Sequence, residues 1–319
     1  EGAPIMILAN TVMGSGVSFM ENDEGFHGAP VKPDRIDEAL GELEIENDIE
    51  QHRERRSKGV VGRYALKRPE YPKVETGDAP TYDPDTKLAA RGAFGKALVS
   101  VAEANMGREG FVMAAFDCDL ASSVKTQAFG QKYPENFFQL GITEHSTATI
   151  GGALSAEHAV SVWADFGVFA VSETYNQARL NDINHANMKL FCTHCGINVG
   201  EDGMTHQCID YFGLLNSTFG WKVITPADPN QTDRVVRYVL STPGNFAVIM
   251  GRSALPIITD ENGTPFFGGM YNYRYGRMET VRKGEKLALV SAGNMLFAAM
   301  DAWKFAKEKG YTVSLVSVS

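Results

Sequence analysis

Cysteine is scarce, with four in 319 residues, at Cys118, Cys192, Cys195 and Cys208. So few thiols argue against a disulfide framework and suit a reducing cytoplasm. Cys192 and Cys195 have CxxC spacing, but zinc would need further paired ligands, and haem attachment would need histidine where Gly196 stands. Both are read as core cysteines of a buried strand. No apolar run reaches the roughly 18 residues of a membrane span, and no signal-peptide pattern opens the chain. Basic residues number 30 against 39 acidic, a net charge of −9 with no basic block, which argues against nucleic acid as a partner. A phosphate-bearing ligand must then be met by a few local cations. What is present is 44% hydrophobic residues, enough for a substantial core, on a length that suits two domains or one large domain with appendages.

Residues 1–33 read as a strand (Ile5–Ala9), a glycine-rich turn and the segment HGAP at 27–30. Residues 34–83 read as a linker. It is first highly charged, with helical runs at Ile36–Leu43 and Ile45–Arg56; the stretch Lys67–Asp85 that closes and just passes it is proline-rich and exposed, with Pro69, Pro72, Pro80 and Pro84. Over residues 84–258 strand and helix alternate. Strands are expected at Phe111–Phe116, Phe137–Gly141, Ala159–Trp163, Leu190–Thr193, Trp221–Thr225 and Phe246–Met250. Helices are expected at Leu88–Ala104, Thr143–Glu157, Val168–Ala186 and Asp233–Ser241, with Asp228 or Asn230 as possible caps of the last. This pattern predicts an α/β fold, a doubly wound and mostly parallel sheet covered on both faces. Residues 275–319 hold a strand (Lys286–Ser291), an amphipathic helix (Asn294–Lys309) and another strand (Val313–Val318), the opening of a further domain. Both ends fall inside expected strands, so the chain reads as a piece of a longer protein.

In such sheets ligands sit beyond the carboxyl ends of the strands. Asp119, Glu144, Phe166, His194 and Arg252 each follow a predicted strand, so the candidates converge on one edge. Glu144 opens a helix of small residues; taken alone it could be a solvated carboxylate favoured by the helix dipole. Phe166 and Phe169, three apart, could be core or a stacking wall for a planar ring. The segment from His194 to Gln207 combines three glycines, two imidazoles and Asp202. It can approach a polyhydroxylated ligand closely and bond it, or ligate zinc, although the glycines fix no ligand spacing.

GITEHSTATI at 141–150 and GEDGMTHQ at 200–207 together resemble the aminopyrimidine-binding domain of thiamine-diphosphate enzymes, most closely transketolases. The resemblance covers almost the whole chain. It implies the tail of a diphosphate-binding domain (1–33), a pyrimidine-binding domain (84–258) and the start of a C-terminal domain (275–319). It implies transfer of a two-carbon ketol unit from a ketose phosphate to an aldose phosphate through a thiamine-diphosphate adduct. Glu144 would share a proton with the pyrimidine ring, Phe166 and Phe169 would stack on it, and Asp119 and Leu120 would meet the thiazolium. His206 and Asp202 would face the transferred unit, and His27 would lean on the diphosphate and substrate. Arg91, Ser123, His194 and Arg252 would grip the distal phosphate. Ser172 stands where many transketolases have an aromatic residue, and Ala90 where threonine is usual.

The family holds Mg²⁺ with a Gly-Asp-Gly motif and a downstream Asn. No Gly-Asp-Gly occurs here, so no metal ligand is named, and the Mg²⁺ ligands are expected in a preceding section. The expected partner is a second copy or a complementary diphosphate-domain chain, and this chain alone is expected to be inactive. Two enzyme alternatives share the fold: deoxyxylulose-phosphate synthase, which typically has Glu-Gln-His rather than Glu144-His145, and the β subunit of a 2-oxo acid dehydrogenase, which lacks the HGAP segment. A non-catalytic assembly partner is the alternative of another class.

Overall fold

Short apolar runs with no polar alternation become strands buried on both faces, and the spacing between them is filled by helices. The computed structural model describes residues 8–58 and 70–319, in two units that divide at Lys67 and Arg68. The N-terminal unit holds 3₁₀ turns at Glu24–Phe26 and Pro33–Arg35 and helices α1 (Ile36–Glu42) and α2 (Ile49–Ser57). Arg35 lies over the Phe19 ring at 3.4 Å, and α2, a run of charged residues, buries nothing. Of the strand expected over Ile5–Ala9, residues 5–7 lie outside the described residues, and Leu8 and Ala9 belong to no element.

The larger unit begins with β1 (Leu88–Ala89), α3 (Ala90–Asn105), β2 (Met113–Asp117), α4 (Ala121–Val124), α5 (Gln127–Lys132) and β3 (Phe137–Gln139). It continues with α6 (Glu144–Ser155), β4 (Val160–Phe166), a π-helix (Val168–Glu173), α7 (Tyr175–Ile183), β5 (Lys189–Thr193) and α8 (Tyr211–Asn216). Then come β6 (Lys222–Ile224), α9 (Pro229–Ser241), β7 (Phe246–Ile249) and β8 (Ala254–Leu255), which pairs antiparallel with β1. Six strands form one parallel sheet in the order β3-β2-β4-β5-β7-β6. The doubly wound α/β reading is correct, and this sheet is wholly parallel.

One face packs on α3 and α9 through Phe94, Leu98, Val101, Val235 and Val239, with Phe94 stacked on Phe191 of β5 at 4.3 Å. The other packs on α6, α7 and α8 through Ala148, Ala178 and Leu215. Gly152 of α6 lies so close to the Asn181 side chain of α7 that any Cβ would collide with it, the tight approach expected of that small-residue helix. The chain passes from β2 outward to β3, then back across β2 to β4. Loops leaving β2 and β4 turn to opposite faces, which opens a crevice at their carboxyl ends.

Several elements differ from the sequence reading. Helix α9 starts four residues earlier than expected. Pro229 at its first position needs no amide partner there, and Asp228 caps it by accepting from the Gln231 N–H at 2.8 Å. The Val168–Ala186 helix is a π-helical segment followed by the shorter α7. Residues 70–85, expected to be an exposed linker, instead form an extended strap with Pro72 and Val74 buried. Asn105 of α3 bonds both the N–H (2.9 Å) and C=O (2.7 Å) of Glu75, and Asn230 of α9 does the same for Tyr82 (2.8 and 2.9 Å). Side-chain amides thus replace a ladder for a backbone that composition alone assigns to solvent.

Residues 279–319 add β9 (Glu279–Arg282), β10 (Leu287–Ala292), α10 (Leu296–Glu308) and β11 (Val313–Val318). β11 pairs parallel with β10 and antiparallel with β9, which the sequence reading omitted. Among the described residues no helix is long and apolar enough to cross a membrane.

Candidate functional site

Three polar side chains are buried together in the crevice. Glu144, the first residue of α6, is 8% exposed; Cys118 follows β2, and Asp165 is the penultimate residue of β4. One oxygen of each carboxyl and the Cys118 Sγ all lie within 4.8 Å of one another. Burial removes the solvated-carboxylate alternative for Glu144. The Cys118 thiol donates to Thr147 Oγ1 at 3.2 Å, and burial pushes it up to about 12. Asp165 accepts from the Phe166 N–H (2.7 Å) and the Trp163 indole N–H (3.2 Å). Burial above all, with the nearby Glu144 charge adding to it, pushes Asp165 up to about 7. Sequence reasoning missed both Asp165 and the role of Cys118 in lining this cluster. A signal existed: an aspartate inside the run VSVWADF, apolar but for Ser161, must be paired or protonated if that strand is buried.

The next residues form an aromatic wall. Phe166 and Phe169 stand nearly parallel (18°), with centroids 6.1 Å apart. Phe166 ends β4 and Phe169 lies in the π-helix, whose wider turn is a recurrent device at functional sites. Gly167 lies between them. A Cβ there would fall inside the van der Waals shell of Cys195 Sγ and lie 3.1 Å from Cys208 Sγ, so only glycine lets the aromatic segment sit this close. His194 lies 3.8 Å from Phe166, and His206 presents its edge to Phe169 at 5.3 Å.

His194 sits in the left-handed region (φ 55°) and is 2% exposed. Burial, reinforced by the Arg91 charge, lowers its pKa to about 4, so the imidazole is neutral at physiological pH. Asp202 lies 3.9 Å from His194 Nε2 and 3.8 Å from Arg252 Nε. Arg252 donates to the Glu201 carboxylate (2.9 Å) and the Val199 carbonyl (2.9 Å), and it holds Glu201 down to about 2. Arg91 donates from Nη1 to the Ser123 carbonyl at 2.8 Å, so Ser123 meets it through its backbone. The Arg91 Nε is buried with no partner, and burial, then Arg252, lowers its affinity for the proton. Asp119 adopts φ 64° and donates its N–H to Gln139 at 2.7 Å, while Leu120 is half-buried beside it.

The structure therefore brings Phe166, Phe169, His194, His206, Asp202 and Arg252 into direct contact, with Glu144 joined to them through Asp165 and Ser123 joined to Arg91 through its carbonyl. His27 is exposed at the end of a 3₁₀ turn and belongs to the N-terminal unit. The zinc alternative for the glycine–histidine loop is not supported: among the described residues, only Cys118, Glu144 and Asp165 bring three candidate ligand atoms within 4.8 Å. The four cysteines are all buried and free.

Comparison with known proteins places this geometry. Residues 86–257 match the family model described as transketolase, pyrimidine binding domain. The chain is 25% identical over 324 residues to human transketolase-like protein 2, covering 99% of this chain and 48% of that protein. It is 26% identical over 230 residues to a putative transketolase C-terminal section from Methanocaldococcus jannaschii, covering 72% of this chain and 69% of that one. A solved split-gene transketolase, titled an inactive β4 tetramer, is 27% identical with a TM-score of 0.62, over 73% of this chain and 71% of that chain. The chain spans about half the length of the first human and mouse relatives it matches.

Proposed function

The chain belongs to the transketolase pyrimidine-binding family, and on that premise we propose that it supplies the aminopyrimidine half of a thiamine-diphosphate site that transfers ketol units between sugar phosphates. The observation that carries the reading is the burial of Glu144 next to a stacked phenylalanine pair at the sheet's switch point. A dry carboxyl beside a flat aromatic wall fits a nitrogen heterocycle that must be held in plane while it exchanges a proton. Thiamine diphosphate, when bound, supplies a thiazolium carbon that acts as the nucleophile toward a ketose. Glu144 holds a proton at the ring nitrogen, and Phe166 and Phe169 fix the ring plane and exclude water. Asp119 and Leu120 face the thiazolium side. His206 and Asp202 bond the hydroxyls of the two-carbon unit.

Arg91, Arg252, His194 and Ser123 form the phosphate end. The unpartnered Arg91 Nε is a donor in want of an oxyanion. Replacing Arg252 with Ala should raise KM for a phosphorylated donor about 10–100-fold, the loss of a charge-assisted bond of about 1.5–3 kcal/mol, with kcat little changed. An unphosphorylated sugar of the same stereochemistry, run in parallel, should show no such rise.

The described residues do not fit Mg²⁺. Their one close ligand group contains a thiol and is buried among apolar side chains, whereas Mg²⁺ takes about six oxygens, several from water. We assign the diphosphate, its metal and the assembly partner to a diphosphate-binding domain, on a complementary chain or a second copy, with His27 contributing from the domain tail. The split-gene relative, inactive as a tetramer of one chain type, supports this division. The test is reconstitution. This chain alone should show no tight Mg²⁺-dependent binding of thiamine diphosphate by calorimetry, and adding the diphosphate-binding chain should produce ketol transfer. Tight binding by this chain alone would overturn the division, and no transfer after assembly would overturn the activity.

A further inference from the structure

The crevice contains a second buried carboxyl that the proposed reaction does not use. We propose that Asp165 is a positioning residue acting through Glu144, holding a proton so that the two carboxyls together carry a single negative charge. This rests on the reading of Glu144 given above and adds a second acid to it.

The argument is geometric first. Asp165 is wholly buried, and one of its oxygens lies within 4.8 Å of a Glu144 oxygen. Its own partners are the Phe166 amide and the Trp163 indole, with the Cys118 thiol alongside, and all three are neutral. The titratable groups that face it are Cys118 from the turn after β2, Glu144 from α6 and Cys192 from β5, and none of them carries positive charge. Two buried carboxylates at this separation without a cation resist ionising together, because neither desolvation nor mutual repulsion is offset. Up to about neutral pH the pair retains one proton. Asp165 is the deeper of the two, at 0% exposure against 8%, and so the better place for it. Its raised pKa, about 7, agrees.

The consequence concerns charge. With Asp165 holding its proton, the Glu144 carboxyl would meet a bound ring with no second anion behind it.

The sign for stability follows. A free aspartate titrates near 4, so the native state binds the extra proton between about pH 4 and 7. Through this group alone, stability is greatest below about pH 4. It falls as pH rises through that window by up to about 1000-fold in the folding equilibrium, then levels off.

The experiment is an infrared titration of the full chain without cofactor, following the C=O stretch of a buried protonated carboxyl. Wild type should show the band disappearing with a midpoint near 7, and Asp165→Asn should not show it. Glu144→Gln, which leaves Asp165 in place, should move the midpoint down by removing the like charge. It also keeps the idea testable if Asp165→Asn fails to fold. Absence of the band in wild type, or a midpoint unmoved by Glu144→Gln, would overturn the proposal. Because no cofactor is present, this outcome is independent of the cofactor reading, which fails instead if Glu144→Gln retains turnover in the assembled enzyme.

Discussion

Glu144→Gln should lower turnover of the assembled enzyme by about 10²–10⁴-fold, the range spanned by loss of a positioned acid or base. The substitution keeps size, shape and hydrogen-bonding capacity but removes the exchangeable carboxyl proton. Stability should not fall with it. Glu144 is the first residue of α6, and in this crevice its charge lies near Asp165 rather than near a cation. An amide there breaks no ion pair and needs no structural rearrangement. The measurement is kcat in the presence of the diphosphate-binding chain, alongside a thermal melt of the variant. Turnover within a few-fold of wild type, with an intact melt, would remove Glu144 from the reaction whatever the fate of the fold.

Gly167→Ala should destabilise the larger unit by about 3 kcal/mol, the upper end of what one added methyl costs in a packed interior. The backbone at Gly167 is ordinary (φ −58°, ψ −36°), so the cost is collision and not conformational strain. The colliding groups have little room to withdraw. The Cys195 N–H is bonded to the Met250 carbonyl at 3.0 Å, and Gly196 ties down the Cys208 carbonyl at 2.7 Å. The cause can be isolated with Cys195→Ala in the same chain, which removes the nearest sulfur. Denaturation of both single variants and the double variant should show a favourable coupling of about 1–2 kcal/mol. Strict additivity would mean that the methyl is accommodated elsewhere. The same displacement should part Phe166 from Phe169, so cofactor affinity of the assembled enzyme should drop with stability.

The parallel strands were readable because each is a short, unbroken apolar run, and the helices between them because their apolar residues recur at helical spacing. That sufficed to place Glu144, Phe166, His194 and Arg252 on one edge before any coordinates. What escaped reading depended on groups far apart in sequence. Asp165 reads as an oddity in a strand until Glu144, 21 positions earlier, is seen beside it. The π-helix carries no periodicity signal, since its six residues are the same types that would make an α-helix. Glu201 became visible as the partner of Arg252 only through the fold, because 51 positions separate them. The strap at 70–85 was misjudged because proline content speaks to local stiffness and says nothing about distant amide side chains that satisfy the backbone.

That strap has a consequence for how this domain is delimited. The family match starts at residue 86, after the segment to which Asn105 and Asn230 are bonded. A piece severed at that point would expose the apolar flank under Val74 and leave the Asn230 side-chain amide without its partners. Homology-drawn limits here cut into packed structure, which extends upstream at least to Tyr71, whose hydroxyl donates to the Leu240 carbonyl at 2.7 Å.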